Sequence, residues 1–113
     1  MKTIEYYPET KAYFKKFLKP NEFSNNENLL KYYEQYENNI KSFIERELCW
    51  NINIYYTRIV NRDPNFLEWF YIIENGMELY SSDEYEYNRM NAYELALNNA
   101  IQCVFKNIYQ ITI

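Results

Sequence analysis

The sequence predicts an α+β fold, in which N-terminal helices precede a three-stranded antiparallel meander and a C-terminal helix. Three observations support this prediction: apolar residues recur at helical spacing up to residue 48, alternate from Trp50 onward, and return to helical spacing after residue 88. No linker or internal repeat divides the 113 residues. We therefore expect a single domain, with a helical part at 1–48 and a β-β-β-α part at 49–113.

Two helices are expected in the N-terminal part. Pro8 suits the first turn of the first helix, and Pro20 ends it. Ser24 and Glu27 fit a capping box that begins the second helix. This second helix either joins the layer that covers the sheet or packs outside it. Its apolar stripe consists of Leu29, Tyr33, Tyr36, Ile40 and Phe43, widened by Leu30, Ile44 and Leu48.

Alternating residues and turn signals predict three strands. We expect the first from Trp50 to about Val60, the second from Phe66 to Glu74, and the third from Met77 to Ser81. The Asn75-Gly76 dipeptide contains the only glycine and predicts a type I′ hairpin turn, because both central residues of that turn need positive φ.

The final helix is expected to be capped by Asn88 and to lie close to the sheet. Its small residues Ala92, Ala96 and Ala100 recur every four positions, which permits a close approach. The tail at 111–113 could add one further edge pairing to the sheet. The apolar residues that flank the alanines are Leu97, Ile101, Val104 and Ile108.

The composition argues against the commonest catalytic and metal sites. The chain has no histidine, and its one glycine is assigned to the hairpin, which excludes a phosphate-binding glycine loop. Cys49 and Cys103 have neither CxxC spacing nor any histidine beside them, and apolar residues flank both, so we expect two buried free thiols. The close acidic pairs are typical of solvated surfaces. We expect neither catalysis nor a cofactor.

Nothing in the sequence indicates a membrane. No stretch approaches the roughly 18 apolar residues that a membrane-spanning helix needs. The first five residues also lack the apolar run of a secretion signal. We therefore expect a cytosolic protein without a membrane partner.

Negative charge is concentrated in residues 63–94. The formal net charge of the chain is −4, yet this segment holds eight acids against one base, Arg89. The rest of the chain therefore has a positive balance. The eight acids are Asp63, Glu68, Glu74, Glu78, Asp83, Glu84, Glu86 and Glu94.

The centre of this segment interleaves carboxylates with tyrosines, which suits the binding of a basic protein. Carboxylates pair with the partner's arginines and lysines and speed encounter, while tyrosine rings supply contact area. The competing interpretation is a solvated loop whose acids stabilise the following helix start. The candidate partner-binding residues are Glu78, Tyr80, Asp83, Glu84, Tyr85, Glu86 and Tyr87.

Residues 50–108 resemble the β-β-β-α modules of small, acidic, tyrosine-rich phage proteins. The similar features are the Trp-containing hairpin with Asn75-Gly76, the segment from Ser81 to Tyr87, and the alanine-spaced helix at 91–97. Among such proteins the anti-CRISPR inhibitors are a prominent group. The resemblance implies a stoichiometric inhibitor that occupies the basic nucleic-acid channel, or an adjacent regulatory surface, of an RNA-guided nuclease of the host. It assigns no functional residue.

Two other functions remain open. A structural or housekeeping protein could self-associate as a homodimer through the seam of the second helix, formed by Tyr33, Tyr36, Ile40 and Phe43. An RNA-binding module could stack bases on the sheet aromatics and use the lysines at positions 11, 15, 16 and 19. Direct nucleic-acid binding is the less favoured of these, because the predicted strands carry only two arginines, at positions 58 and 62.

Overall fold

The computed structural model describes residues 4–18, 31, 34–58, 67–82 and 92–113. A 3₁₀ segment at Gln35–Asn39 leads into the second helix, and a π-helical segment at Val104–Ile108 continues the third. The predicted α+β class and the meander order are confirmed. The elements are α1 (Pro8–Leu18), α2 (Ile40–Glu47), β1 (Asn51–Arg58), β2 (Leu67–Glu74), β3 (Leu79–Ser81) and α3 (Tyr93–Cys103).

The sheet is an antiparallel meander with β2 at its centre. β1 pairs with β2 along all eight residues of each strand, whereas β3 pairs with β2 along only three. The register sets Ile52 opposite Ile73 and Asn53 opposite Ile72. Since neighbouring side chains of a strand point to opposite faces, these two pairs lie on different faces of the sheet.

One core joins the three helices to the face of the sheet that carries Ile52 and Ile73. In this core the ring of Phe14 meets the edge of Phe43 at a centroid distance of 5.1 Å. The alanine spacing of α3 has the predicted effect, because Ala96 and Ala100 are completely buried. The second helix therefore joins the core through Phe43 rather than packing outside it.

Asn98 is a fully buried polar residue that ties the N-terminal segment to α3. Its Oδ1 accepts hydrogen bonds from the Tyr7 backbone N–H and the Thr10 hydroxyl, both at 2.7 Å. Its Nδ2 donates to the carbonyl oxygens of Glu5 at 3.2 Å and Glu94 at 2.7 Å. The side-chain amide thus uses both of its donors and both of its lone pairs.

The hairpin turn differs from the predicted type I′. Gly76 has φ of 90°, but Asn75 is not among the residues with positive φ. The Asn75 side chain instead accepts hydrogen bonds from the N–H groups of Met77 (2.9 Å) and Glu78 (2.8 Å). The asparagine therefore stabilises the turn through its amide oxygen, and the glycine alone supplies the left-handed backbone. The third strand begins at Leu79, two residues later than predicted.

Both later helices begin differently from the sequence predictions. The second helix is interrupted, because Asn39, with φ of −150°, serves as the N-cap of α2 and accepts a hydrogen bond from the Ser42 N–H at 3.4 Å. The capping box at 24 and 27 lies outside the described residues. The α3 helix begins after Ala92, whose backbone is extended and whose side chain forms no capping hydrogen bond. The prediction that Asn88 caps this helix is therefore wrong, and Asn88 itself lies outside the described residues.

The cysteines and the C-terminal tail also depart from expectation. Cys49 is exposed, and it adopts a left-handed backbone conformation (φ of 59°) in the connection between α2 and β1. Cys103 is only partly buried. The Ile111 N–H donates to the Phe105 carbonyl at 2.8 Å, so the tail closes the π-helical segment and adds no strand to the described sheet.

Candidate protein-binding surface

The structure describes two of the seven predicted partner-binding residues. Glu78 ends the turn between β2 and β3, and Tyr80 lies within β3. The other five, at positions 83–87, lie outside the described residues. Whether all seven form one surface therefore stays a prediction.

Glu78 and Tyr80 are brought together at the end of the hairpin. The Tyr80 hydroxyl donates to Oε2 of Glu78 at 3.0 Å, and this hydrogen bond raises the pKa of Tyr80 above its ordinary value. The Tyr80 ring contacts Trp50 at a centroid distance of 5.9 Å. Because Tyr80 pairs with Ile73, it lies on the helix-covered face and contributes to the margin of that face.

The opposite face of the sheet forms a second surface, here named the open face. None of its residues packs against the hydrophobic core cluster, and the described helices lie on the other side of the sheet. The open face consists of Asn51, Asn53, Tyr55 and Thr57 from β1, Glu68, Phe70, Ile72 and Glu74 from β2, and Leu79 and Ser81 from β3.

Aromatic and aliphatic side chains occupy the middle of the open face. Tyr55 and Phe70 are direct cross-strand partners, and their rings stack at a centroid distance of 5.4 Å with an interplanar angle of 24°. Tyr55 is 45% exposed and Leu79 is 61% exposed, so this apolar area is accessible to a partner. Stacked rings are already ordered before binding, which reduces the entropy that association costs.

Carboxylates lie at both ends of this apolar centre. Glu68 is opposite Thr57 at one end of the strand pair, and Glu74 is opposite Asn51 at the other. The ten described residues that form the open face include no lysine or arginine. Within the described part of the chain, neither Glu74 nor Glu78 takes part in an ion pair. Both carboxylates can therefore attract a positively charged partner.

A further aromatic cluster lies on the other side of the sheet, at the end of β1. Trp69 contacts Tyr56, its cross-strand partner, at 5.2 Å, and meets Tyr93 at the start of α3 at 5.6 Å. Tyr56 is 57% exposed and Tyr93 is 37% exposed. Accessible aromatic rings therefore lie on both faces of the sheet at the end where β1 finishes and β2 begins.

A polar groove of about 320 Å³ separates α3 from β2 and β3. Burial is the larger of two causes that raise the pKa of the Tyr71 hydroxyl in this groove, and the neighbouring thiol of Cys103 is the smaller. The Tyr71 backbone N–H donates to the Ser82 hydroxyl oxygen at 2.8 Å. Among the described residues of the lining, Lys106 is the one cation and no carboxylate is present. The described lining of the groove therefore consists mainly of hydrogen-bonding groups.

Three further observations bear on function. Within the described ranges, no three acidic or cysteine side chains are grouped so as to hold a metal ion. In the same ranges, no helix combines the length and apolar character needed to cross a bilayer. Comparison with known proteins finds no match to a family model, a curated protein or a solved structure.

One aromatic residue of the open face stands out in the sequence of β1. Tyr55 alternates with Asn51, Asn53 and Thr57 along β1, and all four lie on the open face. A single exposed aromatic ring is common on protein surfaces, so Tyr55 by itself does not identify a binding site. Its partner Phe70 could be identified only from the pairing register, which the sequence did not specify.

Proposed function

We propose that this protein is a non-catalytic, cytosolic inhibitor that binds the basic, nucleic-acid-binding surface of a host defence protein. The observation that carries the proposal is the open face, where exposed aromatic and aliphatic side chains lie between glutamates. Aromatic side chains at the centre of an interface provide most of the binding energy, whereas surrounding carboxylates select a basic partner and accelerate association. The resemblance to anti-CRISPR proteins suggests an RNA-guided nuclease as the partner.

The charge distribution supports binding to a protein rather than to a nucleic acid. A nucleic-acid surface gains much of its affinity from lysine and arginine contacts to phosphates. The open face offers the opposite charge, through Glu68 and Glu74. An inhibitor with this face would compete with nucleic acid for the same cationic groups. The acidic segment at 83–87 would add further negative charge to the partner-binding surface.

A charge-reversal experiment tests this proposal with a purified RNA-guided nuclease as the probe. The double variant Glu74→Lys, Glu78→Lys should weaken binding by about tenfold or more at low salt, with a smaller effect at high salt. Glu47→Lys is the matched control, because Glu47 is exposed on α2 away from the open face. Equal affinities of the double variant and this control would exclude from the interface both the Glu74 end of the open face and the adjoining turn that contains Glu78.

The stacked rings of Tyr55 and Phe70 on the open face are the one observation that favours a second function, RNA binding. Adjacent aromatic rings on a sheet surface are a common platform for unpaired bases. Fluorescence polarisation with a labelled single-stranded RNA distinguishes the two functions. We expect no RNA binding at physiological salt by the wild-type chain. Tight RNA binding that Tyr55→Ala abolishes would favour the second function.

Two of the residues predicted to form a homodimer seam on the second helix are not accessible to a second copy. Ile40 and Phe43 are 0% and 1% exposed, because they pack inside the chain's own core. Tyr36 also packs against that core, and Tyr33 lies outside the described residues. A homodimer would therefore need a different surface.

A further inference from the structure

The strand β1 has one edge that no described strand pairs with. It lies at the margin of the sheet, since the strand order is β1-β2-β3. The Ile52 N–H does not donate to β2 but to Oε2 of Glu45 in α2, at 3.4 Å. Because backbone groups alternate in direction along a strand, Ile54 and Tyr56 present their N–H and C=O groups to the same outer edge.

The central strand independently confirms this direction. The N–H groups of Tyr71 and Asn75 point towards β3, where they donate to the Ser82 hydroxyl oxygen (2.8 Å) and the Glu78 carbonyl oxygen (3.2 Å). Tyr71 is the cross-strand partner of Ile54. Since Tyr71 directs its backbone groups towards β3, Ile54 must direct its own away from β2.

The outer edge of β1 lacks the features that usually prevent edge-to-edge pairing. From Ile52 to Thr57 the strand contains no proline, glycine or charged residue. Glu45 covers the edge only at Ile52. At Ile54 and Tyr56, no described residue completes the outward backbone hydrogen bonds. These groups form a template for one more strand.

We propose that a second copy of this chain pairs with this edge through its own β1, antiparallel and two-fold symmetric. With Tyr55 on the axis, Ile54 is opposite Tyr56 of the second copy, and each such pair exchanges two backbone hydrogen bonds. Pairing with a copy brings no like charges together near the axis, because the stretch from Asn53 to Thr57 that meets the same stretch of the copy is uncharged in a chain of net charge −4. An acidic or basic peptide would gain no ion pair there.

The resulting dimer has one continuous six-stranded sheet. A two-fold axis perpendicular to the sheet keeps both open faces on the same side, and the two Tyr55 rings meet at the axis. The homodimer thus forms through β1 rather than through the helix seam. This inference stands on backbone geometry and does not depend on the proposed inhibitor function.

Residue-resolved amide exchange at several protein concentrations tests the dimer on the wild-type chain. The amides of Ile54 and Tyr56 should exchange at least about tenfold more slowly as dimer forms, whereas Asn53 and Tyr55, which face β2, should be protected throughout. Sedimentation equilibrium on the same samples gives the dimer dissociation constant. Rapid, concentration-independent exchange at Ile54 and Tyr56 would overturn the proposal, as would a monomer at about 1 mM.

A pair of variants at one position separates the backbone contact from the side chain. Tyr56→Pro and Tyr56→Ala both remove the ring that contacts Trp69, but only proline removes the outward N–H. We expect the proline variant to dimerise about tenfold more weakly than the alanine variant. Equal dimer dissociation constants would overturn the proposal. If the proline variant fails to fold, the exchange pattern of the wild-type chain decides.

Discussion

The two faces of the sheet have the same strands but different physical roles. On the covered face, Ile52 and Ile73 are 3% and 0% exposed beneath α3. On the open face, Tyr55 and Leu79 are 45% and 61% exposed. The hydrophobic contribution to folding is therefore concentrated on one side of the sheet. Substitutions on the open side should therefore disturb the stability of the domain less than substitutions on the covered side.

The largest expected effect is a loss of stability at one of two adjacent isoleucines, Ile72 and Ile73, which lie on different faces of the sheet. Ile73→Ala should lower the free energy of unfolding by about 2–5 kcal/mol, because it leaves a cavity in the core. Ile72→Ala, which makes the same change on the open face, should cost about 1 kcal/mol or less. Urea unfolding followed by fluorescence measures both. Similar losses would mean that the open face is as tightly packed as the covered one.

A second comparison uses two asparagines. Asn98→Ala should lower the free energy of unfolding by about 1–3 kcal/mol, because it leaves the Tyr7 N–H and the Thr10 hydroxyl without their acceptor. Asn53→Ala on the open face removes the same group from a partly exposed site and should stay within about 0.5 kcal/mol. Thermal unfolding of both variants checks this. A larger loss for Asn53→Ala would contradict the assignment of folding energy to the covered side.

The periodicity of the sequence was sufficient to predict the order of the elements. The alternation around Ile52 and the alanine spacing at Ala96 and Ala100 are determined by burial, so a pattern along the chain reports them directly. Asn75-Gly76 located the hairpin but not its turn type. The Asn75 side chain accepts two backbone hydrogen bonds, and this interaction replaces the positive φ that the dipeptide usually indicates.

The candidate surface was less predictable, because it depends on register and on contacts distant in sequence. The acidic, tyrosine-rich segment predicted Glu78 and Tyr80 as partner-binding residues, and the two are hydrogen-bonded neighbours in the fold. The stack of Tyr55 on Phe70 follows only from the pairing of β1 with β2. Asn98 looked like any polar helix residue, since its partners are about ninety positions away in the chain. Interactions of that kind leave no periodic signal.

The smallest effect is expected at alkaline pH, from a tyrosine on the covered side. Burial raises the pKa of Tyr71, so the folded chain retains this proton at pH values where the unfolded chain, with a tyrosine pKa of about 10, has lost it. Its contribution to stability is therefore complete below about pH 10 and decreases as the pH rises further. Tyr71→Phe removes this ionisation. Between about pH 9 and pH 11, its Tm should fall by a few degrees less than that of the wild type. An identical fall in both proteins would show that the Tyr71 hydroxyl ionises as readily in the fold as in the unfolded chain.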